Sequence, residues 1–284
     1  MLDALSAESL KLSRHKATWF LVWMYPIVLV GIIAMIVAVA LVNGGDAVDQ
    51  APTLNKWLDD ATSFWGLPRQ SVTRILIAAY VAVVFAGEYG WNTWKLVLPH
   101  RRRAGVVAAK YALILILFAI AFTIAAALFT VGVWADDVMT ADPMPAGITA
   151  GALLQAHASA ALGAIAPLLI TIGYASLAAI LTRSMIGALI VSIVLISVES
   201  IIATFAPMLA VYLGSAMWAL LHALPGYHIA NLATWIGSGE ALAMPFPSGA
   251  VVALGWGTSL AVLAAWTVAL IGATFAWFGR QDIN

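Results

Sequence analysis

Long uncharged apolar runs alternate with short polar stretches along this chain, and the alternation predicts membrane-spanning helices. A helix needs about 20 apolar residues to cross the hydrocarbon core. Residues 18–42 carry no Asp, Glu, Lys or Arg and form the first expected span. That run exceeds the apolar region of a signal peptide, about 7–15 residues, so it is read as uncleaved helix. Residues 71–88 form a shorter second span, with Ser71 as the candidate N-cap and Arg74 near one end. Residues 111–134, 153–181, 185–206 and 250–278 complete six, and Pro167 is expected to kink the fourth. Residues 207–224 are apolar and follow the fifth span without a loop, which suits a re-entrant or interfacial segment. Before the first span, Leu2, Leu5 and Leu12 share an arc of about 80° at the helical turn angle. Asp3, Glu8, Lys11 and Arg14 lie on another side, and Leu10 breaks the pattern. Residues 1–17 therefore read as an interfacial helix under the bilayer.

Charge decides between six spans and seven. With six spans, Lys11, Arg14, Lys16, Lys95, Arg101, Arg102, Arg103, Lys110, Arg183 and Arg280 share one side. Only Lys56, Arg69 and Arg74 fall to the other, and the basic-rich side is the cytoplasmic one. A seventh span would place Arg280 outside and leave the inner loop 225–249 without Lys or Arg. The acids Asp46, Asp49, Asp59, Asp60, Asp136, Asp137, Asp142 and Glu240 fall in outer loops. Trp19, Trp65, Trp91, Trp94, Trp134, Trp256 and Trp277 lie near the expected interfaces. The fold class is an all-α integral membrane protein, with both termini cytoplasmic and residues 1–284 forming a single transmembrane domain. A multi-pass chain in the cell membrane, such as a bacterial inner membrane, is the expected setting.

Composition agrees. Hydrophobic residues make up 63% and charged residues 9%, against about 45–50% and about 25% in soluble domains. Such a surface must meet membrane lipid. A formal net charge of zero argues against a nucleic-acid partner, which needs a basic excess. The absence of cysteine excludes disulfides, thiolate metal sites and thiol nucleophiles.

No Gly-Lys dipeptide occurs, so the chain has no P-loop, and neither H-E-x-x-H nor G-x-S-x-G is present. His222 and His228 flank a Pro-Gly turn, with Glu240 the nearest carboxylate; two polar loop histidines or the start of a metal site would both fit. Glu199 is the one acid deep inside an expected span, and Ser192, seven residues earlier, shares its helix face. Glu199 and Arg74 each lie about 21 Å from the inner ends of their helices, so the two can meet. Their pairing would either lock two helices together or contact a substrate or a coupled proton.

Between the second and third spans runs Gly87-Glu88-Tyr89-Gly90-Trp91-Asn92-Thr93-Trp94-Lys95-Leu96-Val97-Leu98-Pro99-His100-Arg101-Arg102-Arg103. An acid marks the membrane exit, an apolar and aromatic stretch follows, Pro99 stops it and a basic cluster meets the headgroups. Trp91, Trp94, Val97 and Leu98 can form one face of a short surface helix. Such a knob suits either a partner's groove or anchoring to the membrane surface.

Together with Ala7-Glu8-Ser9-Leu10-Lys11-Leu12-Ser13-Arg14, this segment resembles the membrane (permease) subunits of ABC transporters of the type-2 exporter class. Members of that class open with an elbow helix and carry Glu at the exit of the second span. A Thr follows, then a basic residue, and a Lys opens the third span; Glu88, Thr93, Arg101–Arg103 and Lys110 match. Asn92 stands where Gly usually precedes the Thr, and Phe278-Gly279-Arg280-Gln281-Asp282-Ile283 looks like the aromatic-basic-acidic finish of the class. The resemblance implies that residues 88–100 are the coupling helix, with Glu88, Tyr89, Trp91, Thr93, Trp94 and Leu98 facing an ATPase. It also implies Glu8, Lys11 and Arg14 at the elbow-helix interface. Two ABC ATPase subunits would carry ATP and Mg, and no cofactor would be bound by this chain. A second permease subunit, making a homodimer or heterodimer, would complete the assembly. The implied cargo is hydrophobic or amphipathic: a drug, an antibiotic peptide or a lipid. An intramembrane enzyme, or an ion-coupled secondary transporter or channel using Glu199 and Arg74, remains the alternative reading.

Overall fold

The computed structural model describes residues 2–43, 51–90, 94, 102–140, 142–246, 249 and 251–281. The elements are α1 (Leu2–Arg14), α2 (Lys16–Leu21), α3 (Met24–Asn43), α4 (Leu54–Thr62), a 3-10 helix (Ser63–Arg69) and α5 (Ser71–Gly90). They continue with α6 (Arg103–Thr140), α7 (Ala150–Thr182), α8 (Met185–Leu213), α9 (Ser215–Ala223), α10 (Pro225–Ser238) and α11 (Trp256–Arg280). Among the described residues, α5, α6, α7, α8 and α11 are long and apolar enough to cross a membrane. The protein is thus an all-α multi-pass membrane protein with one short addition. Met244–Pro245 and Val251–Val252 pair as an antiparallel two-residue ladder.

Several expected boundaries shift, each for a local reason. The run 18–42 is divided, because α2 ends at Leu21 and α3 starts at Met24. Pro26 accounts for the restart: it has no N–H to give the preceding turn, and it is harmless in a first turn, where that donor has no partner. The fifth span does not stop at 206. It continues through Pro207 to Leu213 and ends at Gly214, whose φ of 54° is the left-handed region that glycine adopts without strain. Residues 207–224 therefore split between the end of α8 and the short helix α9. The last span begins at Trp256, since Val251–Val252 are taken up by the hairpin. Ser71 is the first residue of α5 rather than its cap, and its hydroxyl donates to Ser200 Oγ at 3.1 Å. Helix α7 runs unbroken through Pro167. The stretch expected to be an outer loop before α5 is helical, in α4 and the 3-10 turn.

The core lies around α5, where Ile77, Ala78, Tyr80, Val81 and Phe85 are buried against Phe118, Phe122, Ile170 and Ala175 of α6 and α7. Helices α7 and α11 approach so closely that a Cβ on Gly173 would sit 2.8 Å from Leu270 Cβ. The outer face of α8 is different. Ile186, Ile190, Val194, Ile201 and Met208 are exposed there, an apolar surface fit for lipid or another membrane helix. A separate small core of Ala206, Met217, Leu221, Tyr227, Phe246 and Val252 holds the far end of α8 to α9, α10 and the hairpin. The bundle thus has two distinct ends: one built from helix termini, the other from short helices folded across them.

Candidate functional site

At one end, buried charge ties the first helix to the roots of the segment between α5 and α6. Lys110, fully buried in α6, uses all three of its N–H donors. They go to Glu88 Oε1 at 2.9 Å, to the Val84 carbonyl at 3.0 Å and to Glu8 of α1. Lys11 of α1 also pairs with Glu88. Two acids and two cations from three helices thus form one alternating cluster, which is how charge can be buried without leaving any of it uncompensated. Leu12 of α1 is buried beneath it and Leu5 packs against the core, while Leu10 points out.

The aromatic side of this end is equally knit. Trp94 is buried, its ring 4.6 Å from Phe278 and 5.7 Å from Tyr89, and Lys110 Nζ lies 5.4 Å from the Trp94 ring centre. The Tyr89 hydroxyl donates to Gln281 Oε1, and Gln281 Nε2 donates to the Ile180 carbonyl at 2.7 Å. Arg103 Nη1 donates to the carbonyls of Gly279 at 3.1 Å and Gln281 at 2.6 Å, placing a cation on the negative end of α11. The termini of α5, α6, α7 and α11 are therefore joined by side chains around residues 88–103.

Of the residues that the sequence singled out here, Glu8, Lys11, Glu88, Tyr89 and Trp94 come together. Arg14 does not: it is exposed and makes no ion pair among the described residues. Trp91, Thr93 and Leu98 lie outside the described residues. Gln281 and Arg103 were not foreseen as links. Arg103 serves the C-terminus of α11, far away in sequence, so only the tertiary fold brings the two together.

Inside the bundle, Arg74 and Glu199 are both nearly fully buried and meet side-on. Arg74 Nη1 donates to Glu199 Oε1 at 2.7 Å and Nη2 to Oε2 at 3.1 Å, while Nε donates to Thr171 Oγ1 at 2.8 Å. The bidentate geometry satisfies the guanidinium fork. Gly226 permits this packing, because a Cβ there would fall 2.8 Å from both Glu199 Cγ and its carbonyl oxygen. Ser192 is buried but bonds its own helix at the Ala188 carbonyl, 2.7 Å away, rather than the ion pair.

Arg74 and Glu199 line a cavity of about 360 Å³ together with Ser200, Thr204 and Arg69. Arg69 also lines a second, larger cavity of about 700 Å³ between the 3-10 turn, α4, α7 and α10. Ala156, Ala160 and Gly163 of α7 form part of its wall. Partial burial pulls the Arg69 guanidinium pKa below its usual value, and no hydrogen bond or ion pair engages it among the described residues. In sequence terms Arg74 pairs with Glu199 by depth, whereas Arg69, just before the span, is given no role.

The two histidines are accounted for separately. His222 is exposed and its Nδ1 lies 2.7 Å from the Trp218 carbonyl. His228 is buried between Ser259 Oγ and the His222 carbonyl, at 3.0 and 3.1 Å. Burial lowers the His228 pKa from 6.5, a shift opposed by the bond to the His222 carbonyl. Glu240 is exposed, and no group of three or more His, Asp or Glu suited to a metal occurs among the described residues. Compared with protein-family models, curated proteins and solved structures, the chain matches none of them.

Proposed function

We propose that this chain is the permease subunit of an ATP-driven exporter of the ABC type-2 class. In this reading α3 joins the five long helices as a sixth span, both termini are cytoplasmic, and α1 is the elbow helix. Residues 88–100 dock onto a separate ATPase that carries ATP and Mg. A second permease subunit completes the translocation path for a hydrophobic or amphipathic cargo.

One observation carries the reading. Both roots of the 88–103 segment are fixed to the rest of the bundle, by Glu88 and Lys110 to α1 and by Tyr89 and Arg103 to the end of α11. A segment that transmits force from outside must be stiff at its attachment points, or the motion dissipates locally. ATP binding would close the ATPase pair, move two such segments together and rearrange the membrane halves about their interface. Leu98→Asp should leave the subunit folded and abolish the coupling between ATP hydrolysis and cargo movement. Unchanged coupling in reconstituted vesicles would refute the docking role.

A second reading is favoured by the Glu199 carboxylate facing a cavity. An ion-coupled transporter would use Arg74 and Glu199 and would move cargo down an ion gradient without ATP. Flux that persists without ATP and collapses with the gradient would decide for it.

A further inference from the structure

Two arginines five residues apart have opposite surroundings. Arg74 engages Glu199 and Thr171 through Nε, Nη1 and Nη2. Arg69 has no acceptor among the described residues and projects where the two cavities meet. Around it in the larger cavity stand Asn55, Gln155 and Ser159, whose side chains also make no hydrogen bond among the described residues. The remaining wall carries the exposed acid Asp59 together with Thr62 and Ser63, and is otherwise apolar, with Leu58, Trp65, Ala156 and Ile236.

The depth of this cavity follows from helix rise. Lys110 and Glu88 mark one membrane boundary. Thr130 lies 20 residues further along α6, about 30 Å away, which is the thickness of the hydrocarbon core. Thr130 Oγ1 is 3.1 Å from His157 Nε2, and Trp65 Nε1 donates to His157 Nδ1 at 3.0 Å. Trp65 therefore stands at the opposite boundary, and Arg69 is four residues further on, just before α5 begins. A cation at that depth is level with the headgroups of that leaflet. From the level of His157, α7 lines the cavity inward to Gly163, about 9 Å of helix running toward the membrane centre.

The geometry points to a binding site for an anionic amphiphile. Arg69 would hold a phosphate or carboxylate head, Asn55, Gln155 and Ser159 would supply further hydrogen bonds, and the apolar wall would receive the chain. The site rests on the permease reading only in lying on the export path. Its test uses the purified chain without any ATPase, so failure here and failure of ATPase coupling are separate results.

The probe is dioleoyl phosphatidylglycerol, with dioleoyl phosphatidylcholine and inorganic phosphate as comparisons, and retention is measured by native mass spectrometry. The wild-type protein should retain phosphatidylglycerol in preference to phosphatidylcholine. Arg69→Gln should weaken that binding about tenfold, the scale of one charge-assisted hydrogen bond. Lys56→Gln, which removes a neighbouring cation paired with Asp60, should leave it unchanged. Ala156→Phe, filling the cavity while keeping the charge, should also lower retention in protein that still elutes as a folded species. Equal retention by the Arg69 or folded Ala156 variants would overturn the site. So would an equal loss with Lys56→Gln, which would mean general surface potential. Arg69-dependent binding of inorganic phosphate without any of phosphatidylglycerol would overturn the amphiphile.

Discussion

The two ends of this bundle treat charge in opposite ways. At the end carrying residues 88–103, Glu8, Lys11, Glu88 and Lys110 are packed into one compensated cluster, and Lys110 has no donor left over. At the other end Arg69 opens onto two cavities without an acceptor among the described residues. A closed network resists deformation because breaking it exposes uncompensated charge. An open cation has unused binding capacity. In the proposed reading, stiffness sits where a neighbouring subunit would push, and free valence sits where a ligand would enter. The Arg74–Glu199 pair stands between them, closed like the first and facing a cavity like the second.

The largest expected effect breaks the closed end. Lys110→Met strands Glu8 and leaves Glu88 with one fewer cation, and should destabilise the protein by about 3–5 kcal/mol. Thermal unfolding in detergent would show it, and a loss below about 1 kcal/mol would mean that the cluster does not hold this end together. Next comes Glu199→Leu, which leaves the buried Arg74 without its counter-ion and should cost a similar or slightly smaller amount. Arg74→Met combined with Glu199→Leu should recover part of the loss, because the penalty of the single variant is mainly the unpaired charge. Strict additivity of the two changes would show that the side chains do not depend on each other.

A smaller effect should come from pH. His228 is buried and neutral with its pKa lowered from 6.5, so the unfolded chain binds the proton more readily. Its contribution is complete above about 6.5 and is lost as pH falls from there toward the folded value. The slope from this one group cannot exceed about 1.4 kcal/mol per pH unit. Melting curves from pH 7.5 to 5.5 should fall more steeply for the wild type than for His228→Gln, and parallel curves would assign the acid sensitivity elsewhere. The smallest effect is expected at the exposed Lys56–Asp60 pair, 3.4 Å apart. Lys56→Gln should not shift the melting temperature measurably.

Much of this contrast was legible before any coordinates. Uncharged length located the long helices, and equal depth along two of them brought Arg74 and Glu199 to one level. Boundaries were harder. The fifth span was expected to end at 206, but in the structure α8 passes through Pro207 and ends at a glycine seven residues later. The break at residues 22–23 was missed because hydropathy does not register a proline two positions into a helix. The 3-10 turn that presents Arg69 has no hydrophobic period to betray it. Sequence paired Arg74 with Glu199 by depth, but nothing in it showed that Arg69, just before the span, opens onto cavities that only the tertiary fold creates. The exposed Arg14 shows the converse: the resemblance implied an elbow-helix interface for Glu8, Lys11 and Arg14, and only Glu8 and Lys11 pair with the bundle.

The central claim is that the segment anchored by Glu88 and Lys110 docks an ATPase, and position 98 addresses it most directly. A photo-crosslinking amino acid at Leu98, activated in living cells, should capture a protein that carries a P-loop. The same probe at Met208, exposed on the outer face of α8, should not capture it. No P-loop adduct from position 98, or an equal yield from position 208, would contradict the account.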